Sequence, residues 1–499
     1  MTRAAPLFTE AEWDFATLDR TYKAIEEIAL NDFKLDVYPN QIEVISSEQM
    51  LDAYSSLAMP LMYNHWSFGK LFAREETLYR AGYSALAYEI VINSSPCISY
   101  LLEENTMPMQ ALVIAHAAFG HNHFFKNNYL FRQWTNAAGI LDYLAFAKGY
   151  IAACEDRYGR DEVEAILDSA HALMDQGVFR YSRPPRPSRE RVLEKHRKRQ
   201  EYEAEAYNEL WRTLPAGIQP PSAPPIPDPE DDGDEMKLPE ENILYFLEKH
   251  SPALKAWQRE TLRIVRTLAQ YFYPQKQTKV MNEGCATFVH HAIMNRLYDK
   301  GLINEGSLLE FLHSHTSVVF QPEFDDRRYS GINPYALGFA MMTDIKRICE
   351  APAPEDREWF PHFAGNNDAM GTLRDAWANY RDESFIEQFL SPKLMRDFRL
   401  FGLADRASDS AYRVAAIHND SGYRRVRANL ARQYDVGIGE PNIQVVRADL
   451  KGDRRLVLEH RMHRGVPLHD KTKDTVLAHV ERLWGHDVSL REVPDEAAA

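Results

Sequence analysis

Residues 105–126 read NTMPMQALVIAHAAFGHNHFFK, and their pattern sets the fold class. Met109, Leu112, Val113, His116, Ala117 and Phe119 recur at helical spacings, so the stretch is expected to form an apolar helix. Residues 285–298 repeat the pattern with Phe288, Val289, Ile293, Met294 and Leu297. Glycine is scarce, 23 of 499 residues, which suits long helices and disfavours a turn-rich β fold. The chain is therefore expected to be mainly α, built around one large helical domain.

A proline-rich segment interrupts that domain. Of the chain's 27 prolines, 11 lie between Pro184 and Pro239, beside an acidic run of Glu230, Asp231, Asp232, Asp234 and Glu235. Such a segment buries too little apolar surface to offset its ordering entropy. Residues 215–239 are expected to be an exposed connection between helical parts 1–214 and 240–405; two helical domains in tandem are the alternative. The basic run Arg189–Arg199 has Glu190, Glu194, Glu201 and Glu203 among and beside its cations, which reads as a solvated surface helix.

The last ninety or so residues change character. Strand-like runs at Tyr412–His418, Asn442–Leu450, Arg455–Met462 and Asp487–Val493 alternate with two amphipathic helices, one carrying Val426, Leu430 and Tyr434, the other Val476, Leu477, Val480, Leu483 and Trp484. The order βαββαβ predicts a small α+β domain of ferredoxin-like type over 410–494. Residues 412–494 hold 15 basic and 11 acidic side chains, a net +4 that leaves −19 on the remainder of a chain whose total is −15. A basic module beside an acidic body is expected to dock, with that body as one candidate.

Composition also excludes. With 58 basic and 73 acidic side chains there is no chain-wide basic surface for duplex DNA, and no nucleic-acid partner is expected. Cys97, Cys154, Cys285 and Cys349 form no C-x-x-C pair, which removes a disulfide scaffold and a zinc ribbon. The start, MTRAAPLFTEAEW, has no apolar h-region, and the strongest apolar run, Met109–Phe119, is far short of the roughly 20 residues needed for a membrane span. A cytoplasmic location without a membrane span is the expectation.

Two stretches place protonatable groups on apolar helices: VIAHAAFGHNH at 113–123 and MNEGCATFVHH at 281–291. In H-E-x-x-H sites, i and i+4 share a helix face, so both imidazoles reach one ion. His116 and His121 are five apart, about 140° around a regular helix, and converge only through a π-bulge or a break near Gly120. Position 117, where such a motif places its general base, is Ala117. Glu283 and His290 share a face but lie about 10.5 Å apart along a regular helix, so a shared cleft suits them better than one ion. Buried histidines satisfied by local carboxylates are the competing reading of the whole cluster.

Other candidates are softer. Glu89 borders the apolar run Ile90–Ile92, where a carboxylate needs a partner or a raised pKa. His65, within NHWSFGK at 64–70, suits a pocket wall. Glu155, Glu164 and His171 read as a solvated or ion-paired helix face, and no E-x-x-H pair of the kind used by helical di-iron sites occurs at these clusters. Cys97 and Cys285 have no adjacent Lys or Arg to stabilise a thiolate.

Asn282-Glu283-Gly284-x-Ala286 resembles the N-E-G-x-A segment that supplies the third zinc ligand in thermolysin-like and aminopeptidase-type gluzincins. A wider resemblance covers the chain. NHWSFGK at 64–70, YEIVINSSPC at 88–97, AHAAFGHNHFFKNNYLF at 115–131, DYLAFAKGYI at 142–151, LDSAHALMDQGVFRY at 167–181, MNEGCATFVHH at 281–291 and NPYALGF at 333–339 resemble the stage V sporulation protein R (SpoVR) family. The family usually differs at His123, Cys285 and His291, which shifts weight onto His116, His121, Glu283 and His290. The resemblance implies a link to the peptidoglycan cortex of spores or, in bacteria that do not sporulate, to a PrkA-type AAA+ serine kinase and a protein with a von Willebrand-type domain as partners. An amidase-like activity on cell-wall peptides fits the gluzincin-like fragment. His116, His121 and Glu283 are then the expected ligands of a divalent metal, zinc first and iron or manganese as alternatives. Glu89, His290 and His65 are the expected catalytic groups. A non-enzymatic partner protein is the other expectation.

Overall fold

The computed structural model describes residues 5–55, a few positions between 59 and 74, 89–180, 197, 238–404, 410, 413–416 and 419–494. The expected proline-rich connection and the basic run before it lie outside the described residues, apart from Arg197, Leu238 and Pro239. Two compact units emerge: residues 1–144 with 273–439, and residues 145–272 with 440–499. That division differs from the expected boundaries, because helical residues on both sides of the connection fold with the C-terminal strands.

In the first unit a small sheet leads into the helices. Strands β1 (Asn40–Ile45), β2 (Glu89–Ile92) and β3 (Cys97–Leu102) lie in the order β1-β3-β2, with β1 parallel and β2 antiparallel to β3. Ile90, Ile92, Ile98 and Leu101 are buried, as β-branched and apolar side chains on a pleated surface should be. No sheet is foreseen in this part of the chain; runs this short cannot be told from buried helix by periodicity.

Thr106 ends the strand region and caps helix α1, its hydroxyl accepting the Met109 N–H at 3.3 Å, with Pro108 in the first turn. α1 is α-helical at Met107–Ile114, π-helical at Ala115–His121 and α-helical again at Asn122–Asn127. Against it lies α2 (Lys279–Asp299), followed by α3 (Glu305–Val318) and α4 (Pro334–Glu350). Small residues set how closely these helices approach. A Cβ on Gly120 would sit 2.5 Å from Ala286 Cα, and one on Gly284 would sit 2.6 Å from Gly338 Cα. The glycines of both sequence motifs, NEG and NPYALG, are thus spent on helix contact.

α2 begins without a side-chain cap of its own at Thr278. Asp382, from the helix Asp382–Phe389, supplies the cap: its two carboxylate oxygens accept the Val280 and Met281 N–H groups, each at 2.8 Å.

The expected class stands, mainly α with a small α+β C-terminal domain, but the C-terminal elements divide differently. The strand Arg413–Ala416 pairs with Gly402–Ala404, and the helix Asp420–Gln433 buries Tyr423, Val426, Leu430 and Ala431 in the core of the first unit. The C-terminal sheet therefore has three strands rather than the four of a ferredoxin-like sandwich. β4 (Asn442–Ala448), β5 (Leu456–Met462) and β6 (Val488–Pro494) run in that order, with the central β5 antiparallel to β4 and parallel to β6. An amphipathic helix buries its stripe against whichever apolar face is nearest, and periodicity does not say which face that is.

In the second unit the helix Asp470–Trp484 closes over this sheet and meets the helices Arg160–Ala172 and Ile243–His250. Ser251 Oγ donates to the Leu483 carbonyl at 2.7 Å, Trp484 Nε1 donates to the Arg454 carbonyl at 2.6 Å, and Trp484 stacks on Phe246 at 5.9 Å. The strands and helix of residues 440–494 thus pack on helices of their own unit; they hold 10 basic and 9 acidic side chains, so most of the expected +4 lies in the strand–helix pair that joins the first unit. No helix among the described residues is long and apolar enough to cross a membrane.

Candidate metal centre

The π-helical turn of α1 solves the spacing problem at residues 116 and 121. An i→i+5 repeat brings residues five apart nearly one above the other. The His116 and His121 rings accordingly lie 4.7 Å apart in an edge-to-face arrangement. Both are buried, in a run from Met107 to Phe125 that has no exposed residue.

Two carboxylates reach these rings from other elements. Glu89, the first residue of β2, places Oε1 3.2 Å from His116 Nε2. Glu283, on α2, places Oε2 3.6 Å from His121 Nε2. Glu89, His116 and His121 each offer one ligand atom, all within 4.8 Å of one another, the one such group of three among the described residues. The carboxylate that completes the trio is Glu89, which the sequence reading places among the catalytic groups, while Glu283 stands beside it.

Partners behind the rings fix their orientation. His121 Nδ1 hydrogen-bonds Asn282 Oδ1 at 2.9 Å. An amide oxygen only accepts, so His121 carries a proton on Nδ1 and turns Nε2 toward Glu283. His116 Nδ1 meets His290 Nδ1 at 2.8 Å, and His290 Nε2 meets His315 Nδ1, on α3, at 2.9 Å. Asn282 lies inside a quoted motif but its type suggested no role; His315 lies in no motif, and only the packing of α3 on α2 brings it in.

The electrostatics are those of a buried, uncompensated pocket. Burial, and then the neighbouring Glu283 charge, push the Glu89 carboxyl far above the usual carboxylate range. Burial, then His121 and His290, hold His116 well below the usual imidazole range. Burial, then His315 and His291, do the same to His290. His315 is lowered to about 4, by burial first and His291 second. Among the described residues, Glu89 Oε2 and Glu283 Oε2 are buried without any hydrogen-bond partner. Orphaned buried acceptors cost free energy, and a bound cation is the ordinary remedy.

The remaining candidates sort themselves by contact. His65 hydrogen-bonds Ser67 Oγ at 2.6 Å and its ring lies 5.5 Å from Trp66; neither contact reaches the four-residue group. His123 faces the backbone of Asp36 and the ring of Trp377. His291 packs on His315 and Phe339. Cys285 touches the Gly120 carbonyl at 3.8 Å, and burial pushes its thiol far up, which argues against a thiolate nucleophile. Glu164 pairs with Arg160 at 3.4 Å on an exposed helix face.

A mainly helical body enclosing a two-histidine, two-carboxylate pocket defines the class of protein at hand. The family model "SpoVR like protein" matches residues 12–438 and "SpoVR-like C-terminal domain" matches residues 441–495, so the chain belongs to the SpoVR family. It is 54% identical over 487 residues to the "Uncharacterized protein YcgB" of Escherichia coli (strain K12), covering 98% of this chain and 94% of that protein. No solved structure matches it.

Proposed function

We propose that the chain is a metal-dependent hydrolase of amide bonds, with Glu89, His116 and His121 holding one divalent ion and Glu283 acting as general base. The observation that carries this reading is that Glu89 and Glu283, each with one carboxylate oxygen lacking a hydrogen-bond partner, stand 3.2 and 3.6 Å from the Nε2 atoms of His116 and His121 in a buried pocket. Two histidines and one carboxylate form the donor set of hydrolytic zinc sites with an open position. The same set suits iron, and manganese accepts it as well. A bound ion would lower the pKa of a coordinated water and polarise the substrate carbonyl. Glu283 would take the proton of the attacking water and return it to the leaving amine as the C–N bond breaks. The family resemblance makes peptidoglycan-type peptides the first substrates to try, and a cytoplasmic setting would make them precursors or recycled fragments.

Metal analysis of carefully purified protein is the primary test. We expect close to one equivalent of zinc, iron or manganese, lost in a His116→Ala/Glu283→Ala double variant that keeps its fold. Less than about a tenth of an equivalent, with no uptake on reconstitution, sinks the reading.

A second reading makes the chain a non-enzymatic partner of a PrkA-type kinase and a von Willebrand-type-domain protein. Exposed aromatics favour it: Phe320, Phe324 and Phe401 are 47%, 59% and 40% exposed, and the last two are in contact at 5.9 Å. Co-purification with those proteins, retained in the double variant, supports it.

A further inference from the structure

We propose that His290 and His315 are positioning residues that hold His116 in the tautomer able to bind a metal, acting through a three-imidazole chain. This deepens the metal-centre reading and rests on it. The chain is defined by two nitrogen–nitrogen contacts, His116 Nδ1 to His290 Nδ1 at 2.8 Å and His290 Nε2 to His315 Nδ1 at 2.9 Å. Each contact has room for one proton only. If both nitrogens of a pair carried hydrogen they would repel, and if neither did, two lone pairs would face each other.

One choice at the centre therefore sets all three rings. For His116 to offer the Nε2 lone pair 3.2 Å from Glu89 Oε1, the proton of that contact must sit on the Glu89 carboxyl, and the ring proton must sit on Nδ1 and be donated to His290 Nδ1. His290 then carries its own proton on Nε2 and donates it to His315 Nδ1. His315 in turn must be protonated on Nε2. The order of elements makes the chain rigid: His116 on α1, His290 on α2 and His315 on α3 are all buried, and the last two lie edge-to-face with centroids 5.2 Å apart. Phe311 and Phe339 wall His315 at 5.7 and 4.7 Å.

The logic also runs backwards. Removing the acceptor at position 315 leaves the His290 Nε2–H buried and unpaired. His290 regains a bond only by moving that proton to Nδ1, where it confronts His116. His116 must then shift its own proton to Nε2, which closes the ligand position. His121 is independent of this chain, since Asn282 holds it.

The test uses the full-length chain and two readouts. Nitrogen-15 NMR of histidine-labelled, metal-free protein should show His116 protonated on Nδ1, and His290 and His315 on Nε2. A His116 resonance belonging to the Nε2–H form overturns the proposal, whether or not the protein binds metal. Zinc titration should then show His315→Phe binding about 10- to 100-fold more weakly than the unmodified chain, the usual cost of losing an outer hydrogen-bond partner. His315→Asn, whose amide oxygen can accept near the position of Nδ1, should recover most of that loss. Equal zinc affinity in the unmodified and His315→Phe proteins also overturns the proposal. If the unmodified chain binds no zinc, iron or manganese, the metal reading has failed, and the tautomer pattern alone decides this one. The same NMR measurement decides it if His315→Phe does not fold.

Discussion

Two carboxylate sites, one in each unit, treat charge in opposite ways. Glu248 is 2% exposed and accepts from Arg263 Nε at 3.0 Å and from Arg266 Nη2 at 2.8 Å. Burial pulls its carboxyl upward, but Arg266, Arg263 and Lys249 outweigh burial and hold it below the ordinary range. Glu89 faces an imidazole instead, and burial together with Glu283 drives it the other way. The chain therefore can pair a buried carboxylate fully when the carboxylate only has to hold helices together. At the His/Glu pocket it leaves oxygens unpaired, and such uncompensated, perturbed groups cluster where ligands bind.

The sharpest way to break that contrast is at Glu89. Glu89→Gln should weaken zinc binding by more than about 100-fold, beyond the loss expected for an outer partner, as read by titration calorimetry. In the metal-free protein the same change should leave the melting temperature equal or raise it, because it removes an ionisable group that burial and the Glu283 charge both disfavour. A metal-free variant melting well below the unmodified chain would make Glu89 a structural residue like Glu248.

Glu248→Gln should do the reverse and destabilise the fold by about 3 kcal/mol, at the lower end for a broken buried pair, because both arginines keep some exposure. Chemical denaturation measures this, and metal content should not change.

Acid provides a third, smaller probe. His123 is lowered to about 4, chiefly by burial, while its unfolded form titrates near 6.5. The folded state thus prefers the neutral ring, so its contribution is complete above pH 6.5 and is lost as pH falls toward 4. Metal-free protein should lose about 1.4 kcal/mol per pH unit through this window from His123 alone, with His116 and His290 adding in the same direction. Thermal melts from pH 7 to 4 read the slope, and a flat profile would mean that these rings are hydrated rather than buried.

The smallest effect is expected on the surface. Glu164→Gln breaks an exposed i,i+4 pair with Arg160 and should change stability by no more than about 0.5 kcal/mol.

Much of this was legible before folding, for reasons that are local. Apolar residues at helical spacings mark α1 and α2 because a helix repeats its faces every few residues, and His116, His121 and Glu283 stand out because charge on such faces is rare. That His116 and His121 converge only through a π-bulge or a break near Gly120 also follows from residue spacing, and of the two the structure has the π-turn, at Ala115–His121. Glycine in NEG suggested a zinc-ligand segment, yet Gly284 serves close packing on Gly338. His315 gave no signal, because His313 and His315 are two apart, which puts them about 200° apart around a helix and marks no shared face.

Helix class, the net charge of the C-terminal stretch and the identity of the polar groups on apolar faces were properties of the sequence itself, since periodicity and composition are carried by neighbours along the chain. Tertiary structure alone decided that Glu89 arrives from a strand beside α1, that Asp382 caps α2, that His315 ends the imidazole chain, and that the strand–helix pair before residue 440 joins the helical unit. Each of these depends on which surface an element finds to bury against, and the chain's own repeat does not contain that partner.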